Sequence, residues 1–239
     1  MPISVEDVQT LSAASDLELA MFRPAHVEAR VARALEKGTV ADIVELGSVL
    51  RHDPGARTEF RRSIAISVTG FFRDADQFEL LAEHTDHLRY KERPRVWSAG
   101  CSTGAELWTL AVLLDRLGAA GRAQLLGSDI LDENIRRARA GLDEGELAGH
   151  VLPEDAKPWF EVRDIVTQGP PGGGWDIVLC RNMAIYLEPN ARQRLHGMLA
   201  ESLAPGGLLL LGRSERLSDP RALGMEFVAP HLYRRAGTA

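Results

Sequence analysis

The chain has 239 residues, and its 28 Lys and Arg against 34 Asp and Glu give a formal net charge of −6 at pH 7. This acidic balance argues against a general nucleic-acid-binding protein, which carries a basic surplus. Hydrophobic residues make up 45% and charged residues 26%, a composition that excludes disorder of the whole chain. The sequence has no run of about 18 uncharged apolar residues and no leader pattern, so we expect a cytoplasmic protein without membrane insertion.

The first part of the chain has the apolar spacing of amphipathic helices. A helix is predicted over residues 24–38, where Pro24 suits the first turn and Gly38 suits the end. Two more helices are predicted over residues 40–50 and 56–66, on either side of a turn-rich His-Asp-Pro-Gly sequence. Residues 1–66 are therefore predicted to form a small all-helical module, followed by a connecting segment over residues 67–94.

From residue 95 onward, short apolar runs alternate with helical patterns, which predicts an α/β domain over residues 95–239 with a parallel sheet covered on both faces. The predicted strands are 95–99, 124–128, 176–179, 208–212 and a last one over 226–234, and 159–166 is a further candidate. The predicted helices are 106–117, 133–140 and 191–203. Such sheets bind ligands at the carboxyl ends of their strands, so we look for chemistry there.

Two of these strand ends have residues that suit a nucleoside ligand. Gly100 and Gly104 lie in a small-residue loop after the first strand, and the next helix directs free N–H groups toward it. Asp129 ends the second strand, and a carboxylate there can accept hydrogen bonds from a pair of ribose hydroxyls. Glu106 directly follows the loop and suits a sulfonium or ammonium group better than a pyrophosphate, which favours S-adenosylmethionine over NAD.

Five segments in chain order carry a more specific resemblance, and their distinctive strings are FFRD, AGCSTG, CRN-x-x-IY and PGG-x-L-x-LG-x-SE. These segments, 66–81, 95–106, 127–141, 175–189 and 203–217, resemble the CheR family, the S-adenosylmethionine-dependent protein-glutamate O-methyltransferases of bacterial chemotaxis. The resemblance implies a Rossmann-like class I methyltransferase sheet with a small all-helical N-terminal domain. It also implies S-adenosyl-L-methionine as cofactor and S-adenosyl-L-homocysteine as product.

The resemblance further implies a set of site residues, transferred position by position. The cofactor-binding residues would be Ser67 (where the family has Asn), Thr69, Arg73, Gly100, Gly104, Glu106, Asp129, Asp164, Ile165, Arg181 and Asn182. Arg73 and Tyr186 would lie at the methyl-transfer site as catalytic residues. A glutamate acceptor has a pKa of about 4.3, so it is already a nucleophile at neutral pH and requires neither a base nor a metal. Arg73 could hold one acceptor oxygen, and Tyr186 could donate to the acceptor or line the methyl path.

The sequence departs from the family pattern at several places. Ala105 precedes Glu106 where the family has a second acid, and Asp164 and Ile165 replace an Asn-Leu pair near the adenine. Residues 141–175 are too few for the small β-subdomain that the family links to tethering on a receptor peptide, so such tethering is doubtful. We also expect the first helix of the N-terminal module to be short or absent.

Alternatives remain open at this point. The acceptor could be a glutamate of a chemoreceptor-like protein, a small-molecule carboxylate or an unrelated protein, and the chain could also be a non-catalytic S-adenosylmethionine-sensing module. The basic flank Arg23, Arg30, Arg33 and Lys37 is either a solvated helix face or a docking face for an acidic helical segment of the receptor. Plainer structural roles are also possible for five of the site residues: packing for Gly100, Gly104 and Tyr186, a helix N-cap for Asp129 and a loop ion pair for Arg73.

Four other residues have chemistry-bearing side chains but no proposed role in catalysis. His84 and His87 have a spacing that can bind metal, yet no third ligand is apparent, and we interpret them as surface residues. Cys101 and Cys180 are interpreted as small buried side chains and not as nucleophiles.

Overall fold

The computed structural model describes residues 2–37, 40–65, 69–142, 144–147 and 149–237. The chain divides into two compact units. One comprises Met1–Ser67 with Ile185–Arg192, and the other comprises Val68–Ala184 with Gln193–Ala239. No helix in the described ranges is long and apolar enough to cross a membrane.

The first unit is helical, as predicted. Its described residues form α1 (Val5–Ser15), α2 (Pro24–Glu36), α3 (Ile43–His52) and α4 (Pro54–Ile64). The expectation of a short or absent first helix was wrong, because α1 has 11 residues. Its start is fixed by a capping box in which Ser4 Oγ accepts from Asp7 N at 3.1 Å while Asp7 Oδ2 accepts from Ser4 N at 3.2 Å.

Each helix of this unit directs one apolar stripe inward. Asp42 and Asp53 cap the starts of α3 and α4, and Asp53 Oδ1 accepts from Gly55 N at 2.7 Å. The buried core is made of aliphatic and aromatic side chains from all four helices: Leu11, Val27, Val31, Leu46, Leu50, Phe60 and Ile64. This small core leaves the polar faces of the helices in solvent.

The second unit contains a seven-stranded sheet in the order β3-β2-β1-β4-β5-β7-β6. Its strands are β1 (Arg95–Ala99), β2 (Gln124–Asp129), β3 (Trp159–Val162), β4 (Trp175–Cys180), β5 (Leu203–Leu211), β6 (Met225–Ala229) and β7 (Leu232–Arg235). β1 to β5 pair in parallel, and β7 pairs antiparallel with β5. The predicted α/β fold is confirmed, and the carboxyl ends of β1, β2 and β4 meet at one edge.

Helices cover this sheet and place the core between the layers. Among them, α6 (Ala105–Arg116) and α7 (Asp132–Ala140) contact β1, β2 and β3. The other helices are α5 (Ala75–Glu83), α8 (Glu144–Leu147), α9 (Ile165–Gln168) and α10 (Pro189–Ser202), and α10 belongs to this unit from Gln193 onward. Most of α6 is buried, including Leu107, Leu110 and Ala111. β4 is buried along its whole length, as expected for a central parallel strand.

Three predicted strands differ from the observed ones. The strand expected over 208–212 begins five residues earlier, because Leu203 pairs with Trp175 and β5 runs over Leu203–Leu211. The strand expected over 226–234 is a hairpin of β6 and β7, because Pro230 cannot donate to a ladder and His231 has φ 65. The candidate over 159–166 ends as β3 at Val162, since Asp164 accepts from Val166 N at 2.9 Å and starts α9. Within the described part of residues 141–158 there is a short helix, α8, and no strand.

Candidate cofactor site at the carboxyl ends of the strands

The loop between β1 and α6 is shaped by backbone conformations that few residues adopt. Gly100 has φ 73, Ser102 has φ 51 and Gly104 has φ 85. The N–H groups of Gly100 and Cys101 both donate to Ser128 O, at 2.8 and 2.9 Å, and this fixes the loop to the end of β2. No side chain caps the start of α6, so its first-turn N–H groups are directed into the loop.

Protein packing also constrains the glycines of this region. A Cβ on Gly104 would lie 2.9 Å from Phe160 Cε1, and one on Gly100 would lie 3.1 Å from Met183 Sδ. The space around Gly127 in β2 is tighter still, because a Cβ added there would lie 2.6 Å from Phe160 Cδ1. The packing role considered for Gly100 and Gly104 is therefore present, whatever ligand the loop binds.

Asp129 at the end of β2 joins three segments of the site. Its Oδ2 accepts from Ser102 N at 2.9 Å, and its Oδ1 accepts from Leu131 N at 2.9 Å and Asn134 Nδ2 at 3.0 Å. These bonds use three of the roughly four lone-pair positions of a carboxylate and leave one for a ligand hydroxyl. Burial raises the pKa of Asp129, and these three hydrogen bonds oppose the rise.

Glu106 and Arg181 form the buried centre of an ionic network. Arg181 Nη1 donates to Glu106 Oε2 at 2.9 Å, and Ser98 Oγ donates to Glu106 Oε1 at 3.1 Å. The Arg181 side chain is 3% exposed and that of Glu106 is 11% exposed. Burial raises the pKa of the Glu106 carboxyl, and the Arg181 guanidinium opposes this rise.

The same Arg181 also binds the FFRD segment. Its Nη2 donates to Asp74 Oδ2 at 2.5 Å and to the carbonyl of Arg73 at 3.2 Å, and Gln77 Oε1 accepts from both Nε and Nη2. The guanidinium carbon lies 5.1 Å from the centroid of the Phe78 ring. Arg181 thus links the end of β4, the start of α6 and the FFRD segment.

The FFRD segment is held in an irregular conformation. Phe72 has φ 50 and donates its N–H to Thr109 Oγ1 at 3.0 Å, and Asp74 has φ 59. The side chains of Thr69 and Arg73 are half-buried, and Ser67 lies outside the described residues. Six described non-glycine residues have a positive φ, and four of them (Phe72, Asp74, Ser102 and Asn182) are in this site. Backbone strain of this kind clusters at functional sites.

A third buried carboxylate of the site, Glu215, was not predicted from the sequence. Its Oε2 accepts from Asn182 N at 2.7 Å and from Gly212 N at 2.9 Å, which ties the loop after β4 to the loop after β5. Glu215 lies in the PGG-x-L-x-LG-x-SE string, so the signal was present without a role attached to it. By this contact it fixes the backbone of Asn182.

Three predicted site residues, Asp164, Ile165 and Tyr186, make none of the contacts described above. Asp164, two residues beyond β3, caps α9, and Ile165 next to it is buried. Tyr186 belongs to the first unit, where its ring centroid lies 4.9 Å from that of His26 and its carbonyl accepts from Arg23 N at 2.9 Å.

Cys101 and Cys180 are both buried, and burial raises their pKa values, so neither is ionised readily to a thiolate. Among the described residues, no group of three or more potential ligands could hold a metal.

The donor and acceptor set fits S-adenosylmethionine. Glu106 and Asp129 bring two buried carboxylates to one loop, and a cationic ligand offsets the cost of burying them. Asp129 retains acceptor capacity for a ribose hydroxyl, and the uncapped first turn of α6 can accept a carboxylate. Cation, hydroxyl and carboxylate are the groups that this ligand presents.

A family model described as "CheR methyltransferase, SAM binding domain" matches residues 67–164 and 157–228, which is more than half of the chain. SAM is S-adenosylmethionine, so the comparison and the residue chemistry agree on the cofactor. The match includes the glycine loop, Asp129 and Arg181.

Three curated relatives span different shares of their own length. An uncharacterized 104.1 kDa protein of Rhodobacter capsulatus is 32% identical over 88% of this chain, and the match spans 25% of that protein. A chemotaxis protein methyltransferase of Listeria innocua is 26% identical over 91% of both chains. The chemotaxis protein methyltransferase of Escherichia coli is 32% identical over 66% of this chain and 64% of its own.

Proposed function

The chain belongs to the CheR methyltransferase family, and from this premise we propose that it transfers the methyl group of S-adenosylmethionine to a carboxylate, namely a glutamate side chain of a chemoreceptor-like protein. The observation that supports this proposal most directly is the pair of buried carboxylates, Glu106 and Asp129, at the uncapped start of α6. A buried, acidic, strand-end site favours a cationic donor over an anionic one.

Asp129 would hold a ribose hydroxyl, and Glu106 would face the ammonium group while Arg181 keeps its carboxylate in place. Arg181 and Asn182 would act mainly through the backbone and side chains that they position, since both are already bonded within the protein. The bound cofactor supplies a methyl group activated by a positively charged sulfur. The protein's own task is to align and desolvate the two reactants.

The acceptor carboxylate is ionised at neutral pH, so no general base is needed. We assign Arg73 to hold one acceptor oxygen by a charge-assisted hydrogen bond, because the FFRD backbone on either side is fixed by Arg181 and Thr109. Tyr186 stays a proposed donor to the acceptor. The described part of residues 141–158 has no strand, so we propose that the acceptor is presented without the tether that the β-subdomain provides elsewhere in the family.

The test uses the full chain, methyl-labelled S-adenosylmethionine and a glutamate-rich chemoreceptor fragment. We expect label on the fragment that mild base releases as volatile methanol, as a carboxyl ester requires. Arg73→Ala should reduce this transfer at least 100-fold, and Arg116→Ala, an exposed arginine at the end of α6, should not. Base-stable label would exclude a carboxylate acceptor. Cofactor binding without transfer to any carboxylate would favour the sensing alternative.

A further inference from the structure

The helical unit contains a cavity of about 530 Å³ that has no part in the proposed methyl transfer. Side chains of α2, α3 and α4 line it, together with Val40 and Lys37. We call it the α2–α3–α4 cavity. Its volume falls within the range of about 300–1,000 Å³ that is typical of small-molecule sites.

The mouth of this cavity is strongly cationic. The described residues that line it include four cationic side chains, Arg30, Arg33, Lys37 and Arg62, and one carboxylate, Glu59. Arg30 and Arg33 in α2 and Lys37 at its C-cap follow helical spacing, so they share one face. This local charge is opposite to the net charge of −6 of the whole chain.

Hydrogen-bond acceptors are scarce in the cavity wall. Glu59 already accepts from Lys37 Nζ, and this bond lowers the pKa of the carboxyl. Within the described ranges neither Arg30 nor Arg33 forms an ion pair, and Nε of Arg30 is buried without a hydrogen-bond partner. A donor without an acceptor is costly, and an anion at the mouth supplies the missing acceptors once the guanidinium turns toward it.

The floor of the cavity is apolar. Ala34, Val49 and Ala56 are half-buried and give the cavity its accessible apolar surface. Leu46, Leu50 and Phe60, which are 5%, 1% and 5% exposed, complete the apolar lining. Surface ion binding requires only the cationic rim, whereas this arrangement also places apolar side chains next to that rim. A ligand that fills both parts has an apolar body and a polyanionic end.

We propose that the α2–α3–α4 cavity binds a small organic polyanion with an apolar body, the chemistry of a nucleoside diphosphate. The phosphates would lie among Arg30, Arg33 and Arg62, and the ring would lie against Val49 and Ala56. This inference is independent of methyl transfer, because every residue that it uses lies in the helical unit.

The test is a calorimetric titration of the full chain at 150 mM salt with guanosine 5′-diphosphate, guanosine and inorganic pyrophosphate as separate probes. Saturating S-adenosyl-L-homocysteine is present throughout, so that the strand-end site does not contribute. We expect guanosine 5′-diphosphate to bind at least tenfold more tightly than either fragment, because only it uses both the rim and the floor. Tenfold corresponds to about 1.4 kcal/mol.

Three variants locate the binding. Arg30→Gln with Arg33→Gln should weaken guanosine 5′-diphosphate binding at least tenfold, and Ala34→Leu, which narrows the cavity without changing its charge, should also weaken it. Arg51→Gln removes an exposed arginine of α3 outside the cavity and should leave the affinity unchanged. Circular dichroism checks that each variant is folded.

Three results would overturn the proposal. The first is equal affinity for guanosine 5′-diphosphate and pyrophosphate, which indicates charge attraction alone. The second is an equal loss in Arg51→Gln. The third is a glutamate-rich helical peptide that binds through Arg30 and Arg33 while guanosine 5′-diphosphate fails to displace it, because the face then serves a protein partner.

Discussion

Two cationic centres among the described residues, Arg181 and the pair Arg30 and Arg33, have opposite surroundings. Arg181 in the α/β unit is 3% exposed at its side chain and donates to Glu106, Asp74, Gln77 and the carbonyl of Arg73. Arg30 and Arg33 at the α2–α3–α4 cavity have no carboxylate partner within the described ranges. The first centre is completed by the protein itself, and the second lacks acceptors that a ligand can provide.

The first centre is preorganised by the protein, whereas the second is suited to recognising a ligand. A buried charge is tolerated only when its partners are in place, so Arg181 fixes the FFRD segment and Glu106 before any ligand arrives. Arginines that are partly or fully exposed pay a smaller desolvation cost when they have no carboxylate partner. They form the most new charge-assisted hydrogen bonds when an anion binds.

Replacing Arg181 should give the largest effect. Arg181→Ala leaves Glu106 buried without its counter-charge, which should lower the free energy of unfolding by about 3–5 kcal/mol and abolish cofactor binding. Urea denaturation and titration with S-adenosyl-L-homocysteine measure the two losses. The matched control is Arg213→Ala, which also removes a partner of Asp74 but has a side chain that is 54% exposed, so it should cost less than about 1 kcal/mol. Equal losses in the two variants would show that the buried network contributes no more to stability than an exposed ion pair does.

Gly127 tests the packing beneath the site. Gly127→Ala would bring a Cβ to 2.6 Å from Phe160 Cδ1 and 2.9 Å from Cys101 Sγ, so it should destabilise the chain by about 1–3 kcal/mol. Adding Phe160→Leu should recover part of this loss. Gly173→Ala, whose new Cβ would have only an ordinary contact at 3.8 Å, serves as control in the same thermal unfolding series. A tolerated Gly127→Ala would contradict the close packing of β2 against Phe160.

The pH dependence of stability tests whether burial or the attraction of Arg181 has the larger effect on the pKa of Glu106. Because burial raises the pKa of this carboxyl in the folded state, its contribution to stability is fully present below its ordinary pKa and is lost as the pH rises through the raised value. The unfolding free energy of the wild type minus that of Glu106→Gln should therefore fall as the pH rises above the ordinary glutamate pKa of about 4.3. Glu161→Gln, at a partly exposed carboxylate, gives the reference slope. A difference that increases with pH would mean that attraction by Arg181 outweighs burial.

The smallest effect is expected at Asp164. Asparagine caps helices about as well as aspartate, so Asp164→Asn should change the unfolding free energy by less than about 0.5 kcal/mol. It also restores the residue that the family has near the adenine, so the affinity for S-adenosyl-L-homocysteine should stay the same or increase. Asp164→Ala, which removes the cap, is the comparison. A tenfold loss of affinity in Asp164→Asn would show that the carboxylate itself is needed.

The sequence predicted the central strands well because each is an apolar run between turn residues. β1 has the predicted bounds, with Pro94 before it and Gly100 after it. The β6–β7 hairpin was missed because its turn is built on His231 in a left-handed conformation, which no Asn-Gly or Asp-Gly pair announces. α1 was missed although Ser4 and Asp7 have the spacing of a capping box.

The sequence motifs identified most of the site residues but not the contacts between them. Asp129 follows directly from its place at a strand end. The partners of Arg181 could not be predicted, since Gln77 is 104 positions away and its contact depends on the packing of α5. Glu215 joins two strand ends only once β4 and β5 are neighbours. Contacts of this kind follow from topology, which local patterns do not specify.

The central claim is that the carboxyl ends of β1, β2 and β4 form a cofactor site, and calorimetric titration with S-adenosyl-L-homocysteine tests it most directly. We predict one binding site per chain, an affinity at least tenfold weaker in Asp129→Ala, and an unchanged affinity in Asp132→Ala, which alters an exposed carboxylate nearby. An absence of binding to the wild-type chain, or an equal loss in the two variants, would contradict the account.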